Sequence, residues 1–434
     1  MSCRAEHARG DRGGRPQGAH RSRWLPPDVR ACPRESAGRL PAGTSGRALP
    51  RCIRGSVVSE HRFNLDFNAG APVDVRVRDG MAALPSAADA NPNSPHARGR
   101  AARDLLEAAR ERIAVAIGTE PDEVVFTSGG TESNNMAVAT GLGVALATGR
   151  PAWSSRIEHP SVAVPFAAGE TTWTRHLALT RAGEVVVPNE DQPRAFVTAV
   201  LAHHELAVVQ DLAPLAAWAH AAEALLHSDL SQALGRVALE PLLPLLDYAT
   251  LSPHKAGGPK GIGVLIAKRG RPCAPVLRGG AQELGRRPGT QCVRLAHGAA
   301  VAIELAEREQ ADRAERMQRS LDAVLERVTR TQGRVVCDRA ARLLPNTRTV
   351  SLAPLAARHA LPALDLAGIL VSFGSACTSG AREVSASLLA LGFDDEEARS
   401  CVRISVAHDL EIETAQDAGN VFCQALVHLS RKTR

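Results

Sequence analysis

Lysine is rare in this chain, and three of its four lysines lie close together. Of the 52 basic residues, only Lys255, Lys260, Lys268 and Lys432 are lysine rather than arginine. A primary amine can lose its proton and form an imine with a carbonyl carbon, which a guanidinium cannot do. Lys255 is therefore a candidate for covalent chemistry, while Lys260 and Lys268 are also compatible with plain surface positions.

Lys255 lies in a predicted loop that contains several glycines and prolines and is followed by a predicted strand. The segment reads Ser252-Pro253-His254-Lys255-Ala256-Gly257-Gly258-Pro259-Lys260-Gly261. A loop lysine beside a phosphate cradle and an aspartate has the parts of a pyridoxal phosphate site. The alternative is a lysine that binds a nucleotide phosphate, but the Walker spacing of glycine and lysine is absent here.

Two further segments could supply the cradle and the aspartate. Ser128-Gly129-Gly130-Thr131 follows a predicted strand and opens a predicted helix, where backbone N–H groups can bind an anion. An ordinary turn with Thr131 as the helix cap is the alternative. Asp229 ends an apolar strand, where open α/β sheets bind ligands, although it could also simply form a turn.

Cys377 differs in its surroundings from most of the nine cysteines. It lies in Gly374-Ser375-Ala376-Cys377-Thr378-Ser379-Gly380, a run of small and polar residues that indicates an exposed loop. An exposed thiol in such a loop is a candidate nucleophile, or an unremarkable loop cysteine. The cysteines include no CxxC pair, so neither a disulfide framework nor a metal site is predicted, and a reducing cytoplasm fits best.

The net charge of +6 belongs to the N-terminus and not to the body of the chain. Residues 1–55 contain 12 arginines against four acidic residues, which leaves the remainder at −2. Neither a nucleic-acid partner nor a membrane partner is therefore expected, and the sequence contains no apolar run of membrane-spanning length. Residues 1–58, rich in Arg, Gly and Pro, are predicted to be disordered.

Strand and helix patterns alternate after residue 63 and predict an α/β fold with a mainly parallel sheet. Strands are predicted at 124–127, 199–201, 224–227 and 262–267, and helices at 101–117, 135–147, 212–223 and 293–330. We expect a large domain over 59–310, whose N-terminal segment is shared with the small domain. A smaller C-terminal α+β domain over 311–434 would carry the Cys377 loop.

Together these motifs resemble the cysteine desulfurases, fold-type I pyridoxal-phosphate enzymes related to the class V aminotransferases. The resemblance covers about residues 63–430 and rests on 127–135, on 254–263 and on 374–379, the last typical of the iron–sulfur and nitrogen-fixation type. It implies pyridoxal 5'-phosphate as the cofactor, L-cysteine as the substrate and a sulfur-acceptor protein, such as an iron–sulfur scaffold, as a partner.

The resemblance also implies a role for each matching residue. Lys255 would hold the cofactor, Asp229 would pair with its ring nitrogen, and His159 would stack on the ring and help to move protons. Gln232 and His204 would contact the ring oxygen, and Arg403 would clamp the substrate carboxylate. The phosphate would be bound by Gly130, Thr131, Ser252 and His254, with Thr290 reaching the phosphate of a neighbouring subunit in a homodimer.

In the implied reaction Lys255 is the base and Cys377 the nucleophile. The Cys377 thiolate attacks the substrate sulfur, so that alanine leaves and a persulfide remains on the enzyme. That persulfide is also the one point at which contact with an iron–sulfur centre is expected. His203-His204 stands where the family has Asn-Asn, Pro253 replaces a glycine, and Phe373 stands where serine is common. A selenocysteine lyase, another class V lyase or aminotransferase, and a catalytically degenerate sulfur-relay scaffold remain alternatives.

Overall fold

Short apolar strands separated by helices form a seven-stranded central sheet. The computed structural model describes residues 62–169, 173–189, 191–330, 333–373 and 384–432. The strands of this sheet that lie in its interior are buried along their whole length, which explains why most of their residues are apolar.

The strands are Phe63–Asn64 (β1), Val124–Thr127 (β2), Ala152–Ser154 (β3), Thr174–His176 (β4), Ala178–Leu179 (β5), Val185–Val186 (β6), Phe196–Thr198 (β7), Leu225–Asp229 (β8), Tyr248–Leu251 (β9), Gly263–Ala267 (β10), Arg334–Val336 (β11), Thr347–Ser351 (β12), Ile369–Leu370 (β13) and Cys401–Ser405 (β14). The α-helices are Val75–Ala82 (α1), Ala97–Ile117 (α2), Gly130–Thr148 (α3), Pro160–Ala168 (α4), Leu212–Ala221 (α5), Val293–Arg308 (α6), Gln310–Thr329 (α7), Ala357–Leu366 (α8), Ala386–Ala390 (α9), Asp395–Arg399 (α10) and Ile412–Lys432 (α11).

The central sheet has the order β2-β10-β9-β8-β7-β3-β4. Only β10 runs against its neighbours β2 and β9, and the remaining pairs are parallel. The carboxyl ends of β2, β3, β7, β8 and β9 therefore meet at one edge of the sheet. The predicted α/β class with a mainly parallel sheet is confirmed.

A smaller antiparallel sheet of order β11-β12-β14 has a hydrophobic core of its own. The helices α7, α8 and α11 contribute to this core, and so do Phe63 and Leu65 from the start of the described chain. The described residues belong to one compact unit, so the boundary that we expect at residue 310 stays a prediction.

Several predicted elements differ from the structure in their limits, and the helix predicted at 135–147 begins five residues earlier, at Gly130. The strand predicted at 199–201 lies at 196–198, because the apolar run continues as buried chain beyond the last residue that pairs in register with β8. The helical region predicted at 293–330 is two helices, which meet at Glu309. No helix in the described ranges combines the length and apolar character needed to cross a membrane.

Candidate active site

The carboxyl ends of the parallel strands enclose a cavity of about 280 Å³. Open α/β sheets bind their ligands at this edge. Ten residues that the sequence nominates line this cavity: Gly130, Thr131, His159, His204, Asp229, Gln232, Ser252, His254, Lys255 and Arg403. They come from six separate segments of the chain, and the fold brings them together.

The start of α3 forms one wall of the cavity and has no room for a larger residue at Gly130. A Cβ atom there would lie 2.2 Å from Ser252 Oγ. Ser252 Oγ is in turn 2.8 Å from Ser231 Oγ, so two hydroxyl groups face the helix N-terminus. Backbone N–H groups at a helix start together with hydroxyl donors make a binding site for a phosphate-like anion.

His254 and Lys255 lie in the short 3₁₀ turn that follows β9. Burial lowers the pKa of His254 to about 4, and the positive charges of Lys255 and Lys260 contribute to the shift. His254 is therefore neutral near pH 7. The backbone N–H of Lys255 donates to the Ser252 carbonyl at 3.0 Å. This hydrogen bond holds the turn beside Ser252, whose hydroxyl group is one of the two that face the start of α3.

Asp229 remains ionised although it is buried. Burial alone would raise its pKa, but Lys255 and two hydrogen bonds outweigh this effect, so the pKa lies below its usual value. The Ser231 backbone N–H donates to Oδ1 at 2.9 Å, and Asn134 Nδ2 donates to Oδ2 at 2.8 Å. The site thus keeps a fixed carboxylate next to Lys255.

A chain of hydrogen bonds connects Asp229 to His159. Asn134 Nδ2 also donates to Ser161 Oγ at 2.8 Å, and that hydroxyl lies 2.7 Å from His159 Nδ1. The Ser161 backbone N–H donates to the same nitrogen at 3.1 Å, so His159 carries its proton on Nε2. Burial and the charge of Lys255 lower the pKa of His159, while Asp229 opposes the shift.

His204 packs against two other histidines at the side of the cavity. Its ring centroid is 5.6 Å from that of His159 and 4.6 Å from that of His203. Burial, followed by the neighbouring histidines, lowers the pKa of His204 well below its usual value. Within the described residues its buried Nε2 has no hydrogen-bond partner, so this atom is available to a ligand in the cavity.

Arg403 is almost fully buried and already has an acidic partner. Its Nη2 donates to Asp66 Oδ1 at 2.6 Å, and its Nη1 lies 3.4 Å from the His204 carbonyl oxygen. Its buried Nε finds no partner in the described part of the chain. The guanidinium is therefore oriented but keeps donor capacity for a carboxylate.

Among the predicted site residues that the structure describes, Thr290 does not line this cavity. Thr290 is exposed on the surface of the chain, on the segment that precedes α6. Cys377 lies outside the described residues. The polar residues that complete the site were not predicted from the sequence: Asp66, Asn68, Asn134, Ser161 and Ser231. Only Ser231 and Asn134 carried a usable signal, because Ser231 lies two residues after Asp229 and Asn134 one helical turn after Gly130.

Residues 63–417 match the family model of the class-V aminotransferases. The cysteine desulfurase IscS of Dictyoglomus turgidum is 33% identical over 379 residues, which cover 85% of this chain and 95% of that protein. A solved NifS-like protein is 28% identical with a TM-score of 0.75, over 85% of this chain and all 100% of the other. The solved structure of SspA in complex with cysteine is 27% identical with a TM-score of 0.67, over 80% of this chain and 99% of the other.

The match to the family model spans most of the chain, and the relatives are covered over nearly their whole length. The chain therefore belongs to the class-V aminotransferase family and, within it, to the cysteine desulfurases.

Proposed function

We propose that this protein converts L-cysteine to L-alanine with pyridoxal 5'-phosphate as its cofactor and transfers the sulfur to Cys377. The observation that carries the proposal is that one cavity gathers Lys255, the ionised Asp229, the start of α3 with its two hydroxyl groups, and the buried Arg403. The similarity to cysteine desulfurases over most of the chain supports the same reaction.

The residues of the cavity fit this cofactor. The narrow approach at Gly130 and the hydroxyl groups of Ser231 and Ser252 suit a phosphate group. The unpaired Nε2 of His204 suits a polar ring substituent, and the Asp229 carboxylate suits a protonated ring nitrogen. When bound, pyridoxal phosphate supplies a carbonyl that reacts with amines and a cationic ring that acidifies the substrate Cα–H bond.

Lys255 and Asp229 divide the proton chemistry between them. Asp229 holds a proton at the ring nitrogen because its own pKa stays low. Lys255 Nζ is the amine that holds the cofactor and the base that takes the substrate Cα proton. His159, whose proton is on Nε2, faces the same cavity and can pass a proton from that atom.

Arg403 and Cys377 act on the two ends of the substrate. Arg403 binds the carboxylate through its remaining donors, in an orientation fixed by Asp66. The Cys377 thiolate attacks the substrate sulfur, so that an S–S bond forms while the C–S bond breaks. The electron pair of that bond stays on carbon, which takes up a proton and leaves as alanine.

We further propose a homodimer that works in the cytoplasm and passes the persulfide sulfur to an acceptor protein such as an iron–sulfur scaffold. Thr290 is exposed, and the same segment exposes the apolar side chains of Leu277 and Leu284. These features support a contact through which Thr290 would reach the phosphate site of a second copy. The Cys377 segment, typical of the iron–sulfur type, supports the acceptor class.

The experiment that tests the proposed reaction is incubation of the purified protein, loaded with pyridoxal phosphate, with L-cysteine and a reductant. We expect sulfide and alanine in equal amounts, and no turnover by the Lys255→Ala variant. Turnover of L-selenocysteine without turnover of L-cysteine would favour a selenocysteine lyase. A wild-type protein that binds no cofactor would support a scaffold and contradict the proposal.

A further inference from the structure

Arg236 is a buried arginine to which no role in the site has been assigned. Only 7% of its surface is exposed, and within the described ranges no carboxylate lies within ion-pair distance of it. In the described part of the chain, its side chain makes three hydrogen bonds, all to neutral oxygens of Gln232 and Lys255. Burial, followed by the charges of Arg313 and Arg403, lowers its pKa to about 10. A buried cation without a counter-charge lowers the free energy of unfolding, so we expect this arginine to have a function at this position.

The first contact of Arg236 fixes the orientation of a side-chain amide. Its Nη1 donates to Gln232 Oε1 at 3.2 Å, and Gln232 Nε2 donates to the Asn68 carbonyl at 3.1 Å. A guanidinium can only donate and a carbonyl oxygen can only accept, so both ends of the amide are determined. The amide nitrogen has a second N–H, and Gln232 lines the active-site cavity. The reversed amide would present an oxygen there instead.

The second contact of Arg236 reaches the backbone of the lysine turn. Its Nη2 donates to the Lys255 carbonyl at 3.1 Å, while the Lys255 N–H donates to the Ser252 carbonyl. One planar guanidinium thus ties the Gln232 side chain to the backbone of Lys255. A single ammonium group lacks this fixed fork of donors.

A second cavity, of about 420 Å³, shares Lys255 with the active-site cavity and gives access to Arg236. Apolar residues such as Phe67, Val73 and Met317 line it together with Arg236 and Arg313. Truncation of Arg236 would leave a space that joins this cavity, and a small cation could enter that space from solvent.

We propose that Arg236 is a positioning residue that orients Gln232 and the Lys255 turn toward the cofactor. The inference rests on the proposed function, because it assumes that pyridoxal phosphate occupies the cavity. In this arrangement Gln232 donates its second amide N–H to an acceptor oxygen of the cofactor. Arg236 prevents the amide from adopting the reversed orientation.

The test measures cofactor binding to the apo protein by absorbance titration, in wild type and in Arg236→Ala. Because hydrogen bonds with one charged partner are lost, we expect the dissociation constant to rise about 10- to 100-fold, with a shifted absorbance maximum. Arg236→Lys keeps a charged donor that can reach one acceptor. Its dissociation constant should therefore lie between those of wild type and Arg236→Ala. Arg76→Ala is the matched control: Arg76 also lines the 420 Å³ cavity, but within the described residues its side chain hydrogen-bonds to Asp74 and Glu309 and not to Gln232 or Lys255.

Chemical rescue separates positioning from a purely structural role. Millimolar guanidinium should restore affinity and the absorbance maximum of Arg236→Ala, whereas urea, which has a similar shape and no charge, should not. An Arg236→Ala protein with a lower melting temperature but unchanged affinity and spectrum would overturn the inference. A wild-type protein that binds no pyridoxal phosphate would instead contradict the proposed function.

Discussion

Arg403 and Asp66, which are 337 residues apart in the sequence, form an ion pair of 2.6 Å at the edge of the candidate active site. Arg403 is the residue that would bind the substrate carboxylate, so a carboxylate of the protein itself already holds one of its two terminal nitrogens. The pair orients the guanidinium before substrate arrives, which reduces the entropy lost on binding. It also places a negative charge beside the position of a negative substrate group.

Two substitutions at Asp66 distinguish orientation from charge. Asp66→Asn keeps an oxygen acceptor for Arg403 and removes the repulsion, so KM for cysteine should stay within about threefold of wild type. Asp66→Ala removes the acceptor as well and should raise KM about 10-fold, with a smaller effect on kcat. Steady-state alanine formation measures both constants. Equal KM values in the two variants would show that orientation by Asp66 is unimportant.

The charge of Asp229 should be essential for turnover. Asp229→Asn keeps an oxygen that can accept from the Ser231 N–H but cannot stabilise a proton on the ring nitrogen. We expect kcat to fall on the order of 100-fold while the cofactor still binds. Single-turnover alanine formation checks this expectation. Activity above one tenth of wild type would mean that the ring does not need a carboxylate here.

The histidine at position 204 should act as a neutral hydrogen-bonding group. Its pKa lies well below the usual value because of burial and the neighbouring histidines, so it does not titrate between about pH 6 and 8. His204→Asn, which retains an N–H donor, should bind pyridoxal phosphate within about threefold of wild type, and His204→Ala about 10-fold more weakly. Neither variant should change the pH profile of activity in this range. If the fall in activity at one end of this pH range is present in wild type and absent from His204→Asn, His204 is a titrating group.

Much of this site could be predicted from the sequence because the chemistry is local. Gly130 and Asp229 each follow a predicted strand, Lys255 lies in a predicted loop, and parallel strands place their carboxyl ends side by side. The pair of Asp66 and Arg403 could not be predicted in this way. Each residue is one charged residue among many in the sequence, and only the docking of β14 beside the N-terminal segment brings them together.

The polar groups that support the catalytic residues were harder to predict for a second reason. Asn134 connects Asp229 to Ser161, yet its position one helical turn after Gly130 is its one signal in the sequence, because asparagine and serine are common in helices and turns. The limits of β7 were wrong because buried apolar chain continues past the residues that pair with β8. Burial could be predicted from composition, whereas the end of strand pairing could not.

Glu158 should make stability depend on pH. Burial raises its pKa from 4.5 to about 7, although hydrogen bonds from Ser155 and Val200 oppose the shift. The folded state favours the protonated acid, so its contribution to stability is fully present below pH 4.5 and is lost as pH rises through about 7. Glu158→Gln should therefore be more stable than wild type above pH 7 by on the order of 2 kcal/mol, and similar at low pH.

Glu307 provides a matched comparison for Glu158, because burial raises its pKa to about 7 as well. Glu307 lies on α6, outside the active-site cavity. Urea unfolding at several pH values should give a similar stabilisation of Glu307→Gln at high pH, with no change in cofactor absorbance. If the free energy of unfolding depends on pH in the same way in Glu158→Gln as in wild type, the pH dependence does not come from Glu158.

The most direct test of the central claim is mass spectrometry of the peptide that contains Cys377, after the cofactor-loaded enzyme has reacted with L-cysteine without a reductant. We predict the addition of one sulfur atom at Cys377, together with one alanine per active site. The addition should be absent from Cys377→Ser and from Lys255→Ala, although Cys377→Ser keeps the cofactor absorbance. Formation of alanine with no sulfur on Cys377, or the same sulfur addition in Lys255→Ala, would contradict the account.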